Sequence, residues 1–161
     1  MYYAQELLES EDRAQWATAH GIISEVLALQ DTVPTSATYG IWSWFAEEPL
    51  SAMAPPDWNW ADFIGAPLVE LLILKPERLP AELTASMRVD VGHAAWSIFR
   101  RNVGPGYTNI ALMGAAVALA VGELLGEQRL VDYAVARMRA CADFYAWVGG
   151  LTKNSDNSVN L

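Results

Sequence analysis

An all-α fold built from antiparallel helical hairpins is predicted by two features of this 161-residue sequence. Apolar residues recur three and four positions apart over five long segments, whereas the strict alternation of a β-strand occurs nowhere. Prolines and glycines separate these segments by breaks that are alternately long and short, and a short break places successive helices side by side in opposite directions. The five predicted helices span residues 3–30, 59–74, 80–101, 109–125 and 127–148.

The first helix is predicted because residues 3–30 contain no proline and place Ile23, Val26 and other apolar residues on one face. The next segment, residues 31–58, is rich in proline and is too long for an ordinary connection in a compact domain. Loops of this kind are usually functional. We therefore expect residues 31–58 to contribute to a binding or catalytic site.

The two later hairpins are predicted from their turns. Prolines at both ends of the segment 75–80 end one helix and begin the next, and Gly126 separates the last two helices. The hairpins recur with a period of roughly fifty residues, so that Gly65 of the first corresponds to Gly114 of the second. This spacing indicates helical-hairpin repetition.

Helix 109–125 is apolar around its whole circumference, so we expect it to be packed on every side. Its neighbours carry charges on one face, which gives the order outer, inner, outer, inner, outer along the chain. Hairpin loops alternate between the two ends of such an array. The long connections, residues 31–58 and 102–108, therefore share one face.

Composition and charge exclude several classes of protein. Ten Lys and Arg against nineteen Asp and Glu give a net charge of −9, and the basic residues are scattered, so we expect no nucleic-acid partner. The longest uncharged apolar stretch, residues 110–122, is too short to cross a bilayer, and we expect no membrane partner. The N-terminus lacks a secretory signal, which predicts a cytoplasmic protein as the sequence is written. We expect one domain over residues 1–150 and a disordered polar tail over residues 151–161.

No metal or cofactor is predicted. Cys141 is the single cysteine, and the two histidines, His20 and His93, lack the paired spacing of a metal site. Both histidines lie within predicted helices, where we expect structural roles. The glycine-proline turn at residues 104–106 lacks the Lys and the Ser or Thr of a phosphate-binding loop.

Aromatic residues lie beside carboxylates in and near the long connection. The residues concerned are Trp42, Trp44, Phe45, Trp58 and Trp60, with Glu47, Glu48 and Asp57. A sugar ring stacks its apolar C–H faces on aromatic rings and bonds its hydroxyl rim to carboxylates and amides, so this composition indicates a carbohydrate-binding face. The alternative is that the tryptophans anchor the loop to the helix ends as core residues. Glu47 could supply a glycosidase acid or base, or could form a solvated pair with Glu48.

One segment resembles the start of an inner helix in (α/α)-toroid polysaccharide lyases of the hyaluronate and chondroitin lyase kind. The family pattern is Asn-Trp-Trp…Ile-Gly-x-Pro, and this sequence has Trp58-Asn59-Trp60-Ala61-Asp62-Phe63-Ile64-Gly65-Ala66-Pro67. The first two residues are exchanged here, and Phe63 replaces the acid of the family. The resemblance implies a toroid whose substrate cleft has an aromatic patch formed by Trp60 and Trp58, with Asn59 between them.

A second match lies at the next inner helix, where the family has Gly-Ala-Asn and this sequence has Gly106-Tyr107-Thr108-Asn109. The resemblance implies that Asn109 neutralises a uronate carboxylate, and a helix N-terminus also favours an anion. Tyr107, two positions away, is the local candidate for a catalytic base. The alternative is that Asn109 or Thr108 caps the helix.

In these lyases a third loop brings the His and Tyr that act as base and acid, but neither residue type follows Tyr145 here. We therefore expect a fragment or remnant of a polysaccharide-degrading enzyme, lyase or glycoside hydrolase, that binds an oligo- or polysaccharide without turnover. Toroid hydrolases share this helical layout, so the two activities stay open. The alternative is a helical interaction or oligomerisation module, because five helices would leave apolar edges that favour homo-oligomers.

Overall fold

Six α-helices form this fold in a computed structural model that describes residues 1–156. They are α1 (Tyr2–Glu9), α2 (Arg13–Leu27), α3 (Trp60–Leu74), α4 (Ala81–Arg101), α5 (Thr108–Leu125) and α6 (Gln128–Asp156). Short 3₁₀ turns lie at Leu50–Ala52 and Pro76–Arg78. No strand occurs among the described residues, and the predicted all-α class is confirmed.

The segment 3–30 was predicted to be one helix, and this prediction is wrong. The chain turns at residues 10–12, where the Asp12 carboxylate accepts a hydrogen bond from the backbone N–H of Ala14 (2.9 Å). The Ser10 hydroxyl accepts another from the N–H of Asp12 (3.1 Å). Such short polar side chains satisfy the open N–H groups of a new helix start and compete with helix continuation. The segment therefore forms a hairpin of its own, α1 with α2.

Three hairpins, α1/α2, α3/α4 and α5/α6, stand side by side. Helix α3 packs against α1 and α5, and α4 packs against α2 and α6. Glu9 at the end of α1 bonds Lys75 at the end of α3, and Asn59 before α3 lies beside Tyr107 before α5. Helices α1, α3 and α5 therefore run parallel in one layer, and α2, α4 and α6 return in the other.

The array has two different ends. The loop end carries the long connections, residues 28–59 and 102–107. The turn end carries the short ones, residues 10–12, 75–80 and 126–127. This division follows from the antiparallel hairpins, and it places both long connections together.

Helix α5 is not packed on every side, contrary to the prediction. It contacts α3, α4 and α6, but the side chain of Leu112 is 41% exposed and Ala116 is exposed as well. A run of small apolar residues indicates that neighbours approach closely, but it does not say on how many sides they lie. Among the described residues, α5 is the helix whose length and composition would allow it to cross a membrane, and 44% of it is buried within the protein. Such partial burial against three neighbours is what a core helix shows.

The last helix continues to Asp156, past its predicted end at residue 148. Residues 151–156, which were predicted to belong to a disordered tail, are therefore part of α6. Residues 157–161 lie outside the described part of the chain.

Candidate functional site

A cavity of about 370 Å³ opens at the loop end, between the long connection and the end of α4. Its wall combines aromatic rings, hydroxyl groups and two guanidinium groups: Ser36, Ala37, Tyr39, Trp58, Ser97, Arg100 and Arg101. No carboxylate belongs to this wall. We call it the loop-face cavity.

The long connection is held against the helices by individual hydrogen bonds. Trp42 is only 2% exposed, and its indole N–H donates to the carbonyl oxygen of Val26 (2.9 Å). The side-chain amide of Gln30 donates to the carbonyl oxygen of Gly40 (3.1 Å). Gly40 has a φ of 80°, and a Cβ there would lie 2.4 Å from the carbonyl oxygen of His93, so this close approach requires glycine. The cavity wall is therefore preorganised.

Trp58 presents a fixed aromatic face in the cavity wall. Its side chain is 37% exposed, and its indole N–H donates to the carbonyl oxygen of Ala37 (3.1 Å). An indole held in this way offers a flat apolar surface that loses little conformational entropy when a ring stacks on it.

Tyr39 connects the cavity to α4. Its hydroxyl oxygen lies 2.7 Å from Nδ1 of His93, and the guanidinium of Arg100 lies over its ring, 4.5 Å from the centroid. Burial raises the pKa of the Tyr39 phenol, although the charge of Arg100 opposes this, and burial lowers the pKa of His93. Both groups are therefore neutral at pH 7, and their hydrogen bond holds the loop on α4.

A polar chain lies where α3 and α5 begin. Arg101 donates to Oδ1 of Asn59 (2.6 Å), and Nδ2 of Asn59 lies 3.4 Å from the Tyr107 hydroxyl. The Asp57 carboxylate accepts a hydrogen bond from the backbone N–H of Asn59 (3.1 Å). Three residues that the sequence analysis singled out, Asp57, Asn59 and Tyr107, are thus close together beside one arginine of the cavity.

Asp62 is a buried carboxyl group in the first turn of α3. It is 2% exposed and fills space that Gly114 leaves on α5, since a Cβ on that glycine would lie 2.6 Å from Oδ1. Burial raises the pKa of Asp62 to about 7, although the charge of Arg101 opposes this. Asp62 therefore changes its charge near neutral pH.

The aromatic residues of the long connection have different environments. Trp42 is a core residue, and its predicted substrate-binding role is wrong because its ring is covered by the helices. Trp44 is 39% exposed, and Phe45 and Glu47 are exposed, but they do not line the loop-face cavity. Trp58 is the tryptophan that does.

Trp60 lines a different cavity, of about 300 Å³, with Met1, Tyr2, Phe63 and Ile64. Its ring meets Phe63 edge to face, with 6.0 Å between the ring centroids. The two tryptophans that the resemblance assigned to one aromatic patch therefore belong to two separate cavities.

Asn109 is exposed in the first turn of α5 and lines neither of these cavities. The cap position of α5 is Tyr107, which makes no side-chain cap, and the Thr108 hydroxyl donates to the carbonyl oxygen of Pro105 (3.2 Å). The expectation that Asn109 or Thr108 caps the helix is therefore wrong. The Thr108 hydroxyl bonds the carbonyl oxygen of Pro105 instead of a backbone N–H of the first turn of α5.

Sequence reasoning did not single out Tyr39 for the site, nor Asp62, Arg100 and Arg101. The two arginines lie in the last turn of α4, directly before a long connection, and this position could have indicated that they belong to the site. The burial of Tyr39 and Asp62 depends on distant parts of the chain and has no local signal. No cluster of His, Cys, Asp or Glu suited to a metal ion occurs within residues 1–156.

Neither a curated protein nor a solved structure matches this chain. One family model, a domain of unknown function (DUF8769), matches residues 1–154. The match includes the long connection and all residues of both cavities. It covers nearly the whole sequence, and the chain therefore belongs to the DUF8769 family.

Proposed function

We propose that this chain is a carbohydrate-binding helical domain with the architecture of part of an (α/α) toroid, related to toroid polysaccharide lyases or glycoside hydrolases. Its ligand is an oligo- or polysaccharide bound at the loop end. The proposal joins the aromatic long connection to the sequence resemblance at the starts of α3 and α5.

Support for the toroid comes from the regular arrangement of the hairpins. The helices of one layer run parallel to one another, as in an array that closes into a ring when more hairpins are added. Gly65 on α3 and Gly114 on α5 lie at corresponding positions of their hairpins, and each allows a residue of the other helix to approach closely. A Cβ on Gly65 would lie 3.3 Å from Val117, and one on Gly114 would lie 2.6 Å from Asp62.

The observation that carries the binding function is the position of Trp58 in the wall of the loop-face cavity. Its partly exposed ring is fixed by the bond to Ala37, next to hydroxyl and guanidinium donors. A saccharide needs both features, because its ring has an apolar face and a rim of hydroxyl groups. The amide of Asn59 and the phenol of Tyr107 add donors and acceptors at the start of α3.

We infer that the chain binds its ligand without turnover. Elimination and hydrolysis both require a positioned acid and base, each worth roughly 10²–10⁴-fold in rate. Tyr39 and His93 bond to each other, and the polar neighbour of the Tyr107 hydroxyl is the donating amide of Asn59. Incubation with uronate-containing and neutral glycans is therefore expected to release no product.

Calorimetry and tryptophan fluorescence with oligosaccharides test the binding function. Trp58→Ala should remove ligand-dependent quenching and weaken binding about tenfold, because it deletes the stacking surface. Trp44→Ala is the matched control, since Trp44 has nearly the same exposure (39% against 37%) but lies outside the cavity. Unchanged affinity in the Trp58 variant, or equal losses in both variants, would contradict the proposal.

A second candidate function, a helical interaction module, is favoured by exposed apolar side chains at one edge of the array. Leu112 on α5 and Tyr145 and Trp147 on α6 are each more than two-fifths exposed. Gel filtration with light scattering separates the two functions in part. A concentration-dependent dimer that Leu112→Asp abolishes would favour the interaction module.

A further inference from the structure

The hairpin α5/α6 has a free side in the array. Hairpin α1/α2 packs against α3/α4, and α3/α4 packs against α5/α6. Apart from each other, the helices that pack on α5 and α6 within residues 1–156 are α3 and α4, which lie on one side of the hairpin. The opposite side is where a further hairpin would continue the two layers.

The free side of α6 carries no charge over about three helical turns. Arg137 marks the α4 side of this helix, because it donates to Asn102, and the buried Ala134 and Cys141 mark the α5 side. The helical period places a stripe of four uncharged residues on the flank away from α4: Val135, Met138, Ala142 and Tyr145. The charged residues of the same segment lie off this stripe: Asp132, Arg137, Arg139 and Asp143.

Helix α5 continues this surface beside α6. Leu112 is 41% exposed and Ala116 is exposed, and both lie on the side of α5 that no other helix covers. Val135 and Tyr145 are 36% and 43% exposed. We call this surface the α5/α6 edge and define it by six residues: Leu112, Ala116, Val135, Met138, Ala142 and Tyr145. Contiguous exposed apolar surface of this kind marks an interaction site.

Charge and size both favour a second copy of this chain as the occupant. Each copy carries a net charge of −9, so two copies repel each other except where a surface lacks carboxylates, as this edge does. A basic partner would bind the acidic surface instead. The 18 residues of α5 make the edge about 27 Å long, and two helices make it about 20 Å wide. Two copies would therefore bury on the order of 1,000 Å², as in weak, reversible complexes.

We propose that the α5/α6 edge binds the same edge of a second copy and forms a reversible homodimer about a two-fold axis. A two-fold axis brings one surface patch against itself, which suits a patch that is uncharged throughout. This inference goes beyond carbohydrate binding and does not depend on it.

The charges at the two ends of the hairpin select how the copies are oriented. Glu123, Glu127 and Asp132 are exposed near the turn end, so two turn ends placed together would repel each other. An axis that runs across the helices avoids this, because the turn end of one copy then lies beside the loop end of the other. Neighbouring helices across the interface are antiparallel in this arrangement.

The centre of the interface follows from the lengths of the two helices. Ala116 lies nine residues before the end of α5 and Met138 lies ten residues after the start of α6, so the two residues are at the same level. With the axis at this level, Glu123 lies opposite Asn109 of the second copy, because both are seven residues from Ala116. The Asn109 amide can then donate to the Glu123 carboxylate.

Light scattering and sedimentation over a roughly hundredfold range of protein concentration test the dimer. The mass should rise from that of one chain to that of two. Added salt should increase the dimer fraction, because it screens the repulsion between two negatively charged copies and leaves the apolar contact intact. A monomer at every concentration, or a dimer that salt dissociates, would overturn the inference.

Variants on both helices assign the interface. Val135→Glu and Leu112→Asp should each weaken self-association about tenfold or more, because they place a carboxylate in the contact. Both replace exposed side chains, so their circular dichroism should match that of the wild type. Val89→Glu is the matched control, since Val89 is 58% exposed but lies on α4. Wild-type self-association in both edge variants would refute this interface.

A disulfide cross-link tests the position of the axis without disrupting the contact. Met138→Cys should form a covalent dimer with a mild copper oxidant, because the axis brings the two copies of this residue within disulfide reach. Val89→Cys should stay monomeric although Val89 is more exposed, and the wild type should not react because Cys141 is 1% exposed. Equal cross-linking of both variants would indicate random collision and contradict the proposed axis.

The inference and the proposed function can fail separately. A monomer that still binds oligosaccharides would overturn the dimer alone, and a dimer that binds none would contradict carbohydrate binding alone.

Discussion

Arg78 at the turn end and Arg100 at the loop end are one residue type in two different roles. Arg78 donates to two backbone carbonyl oxygens beside the α1/α2 turn and lies 3.4 Å from the Glu11 carboxylate. Arg100 donates to one carbonyl oxygen and rests on the Tyr39 ring. The first arginine is satisfied within the protein, and the second keeps donors available.

The same contrast separates the two ends of the array. All the salt bridges found among the described residues lie at the turn end, where the hydrogen bond from Lys75 lowers the pKa of Glu9. At the loop end the guanidinium groups meet an amide, a carbonyl group and an aromatic ring. The turn end uses its charges to join the hairpins, whereas the loop-end guanidinium groups form none of these salt bridges among the described residues.

The largest expected effect is a difference in stability between variants of the two arginines. Arg78→Met should lower the free energy of unfolding by about 3 kcal/mol, because two carbonyl groups lose a charged donor and Trp16 loses the guanidinium 5.1 Å from its ring. Arg100→Met should cost less than about 0.5 kcal/mol, because the side chain is exposed and forms no salt bridge within the described part of the chain. Urea denaturation of both variants measures the difference. Equal losses would mean that Arg100 is structural too.

The next effect concerns the pH dependence of stability at the loop end. Burial raises the folded-state pKa of Asp62 to about 7, above its unfolded value, so the folded protein binds the extra proton. The stability from this proton is lost as the pH rises through the folded pKa, by about 2 kcal/mol between pH 5 and pH 8.

Asp62→Asn should remove this slope and should be more stable than the wild type at pH 8. Asp90→Asn is the matched control, because burial raises the pKa of Asp90 to about 6 without Arg101 nearby. The Asp90→Asn variant should still lose stability as the pH rises through 7. An unchanged slope in Asp62→Asn would refute the assignment.

The smallest of the three effects tests how tightly α3 and α5 meet near the site. Gly114→Ala should cost about 1.5 kcal/mol, because its Cβ would lie 2.6 Å from Oδ1 of Asp62 and 2.9 Å from Cγ2 of Ile98. Gly104→Ala, in the second long connection, meets nothing within 4 Å and should be neutral. Thermal unfolding of the two variants measures the difference, and equal melting temperatures would contradict close packing at Gly114.

The turns could be predicted where one residue type dictates the backbone. Gly126 has a φ of 73° and ends α5, as its position after a long apolar helix indicates. The turn at residues 10–12 contains neither glycine nor proline. It was missed because Ser, Glu and Asp are also acceptable on the surface of a continuous helix. The packing of α1 against α2 favours the turn over a continuous helix.

The candidate site could be predicted only in part. The resemblance pointed to the start of α3, where Asn59 does contact an arginine, and the aromatic pattern included Trp58. Arg100 was overlooked, because two arginines at a helix C-terminus are ordinary there as partners of the helix dipole. Their environment became specific only when residues 34–39 packed over them.

The sequence by itself determined that the chain is helical, where prolines and glycines interrupt the helices, and that aromatic residues concentrate in one long connection. Tertiary structure decided which of those aromatics are core and which are exposed: Trp42 lies against α2, while Trp58 stays in a cavity wall. It also decided that Asp62 is buried and that Arg100 has no carboxylate partner within residues 1–156. The reason is that helix and turn preferences act over a few neighbouring residues, whereas burial, pKa and charge pairing depend on residues that are distant along the chain.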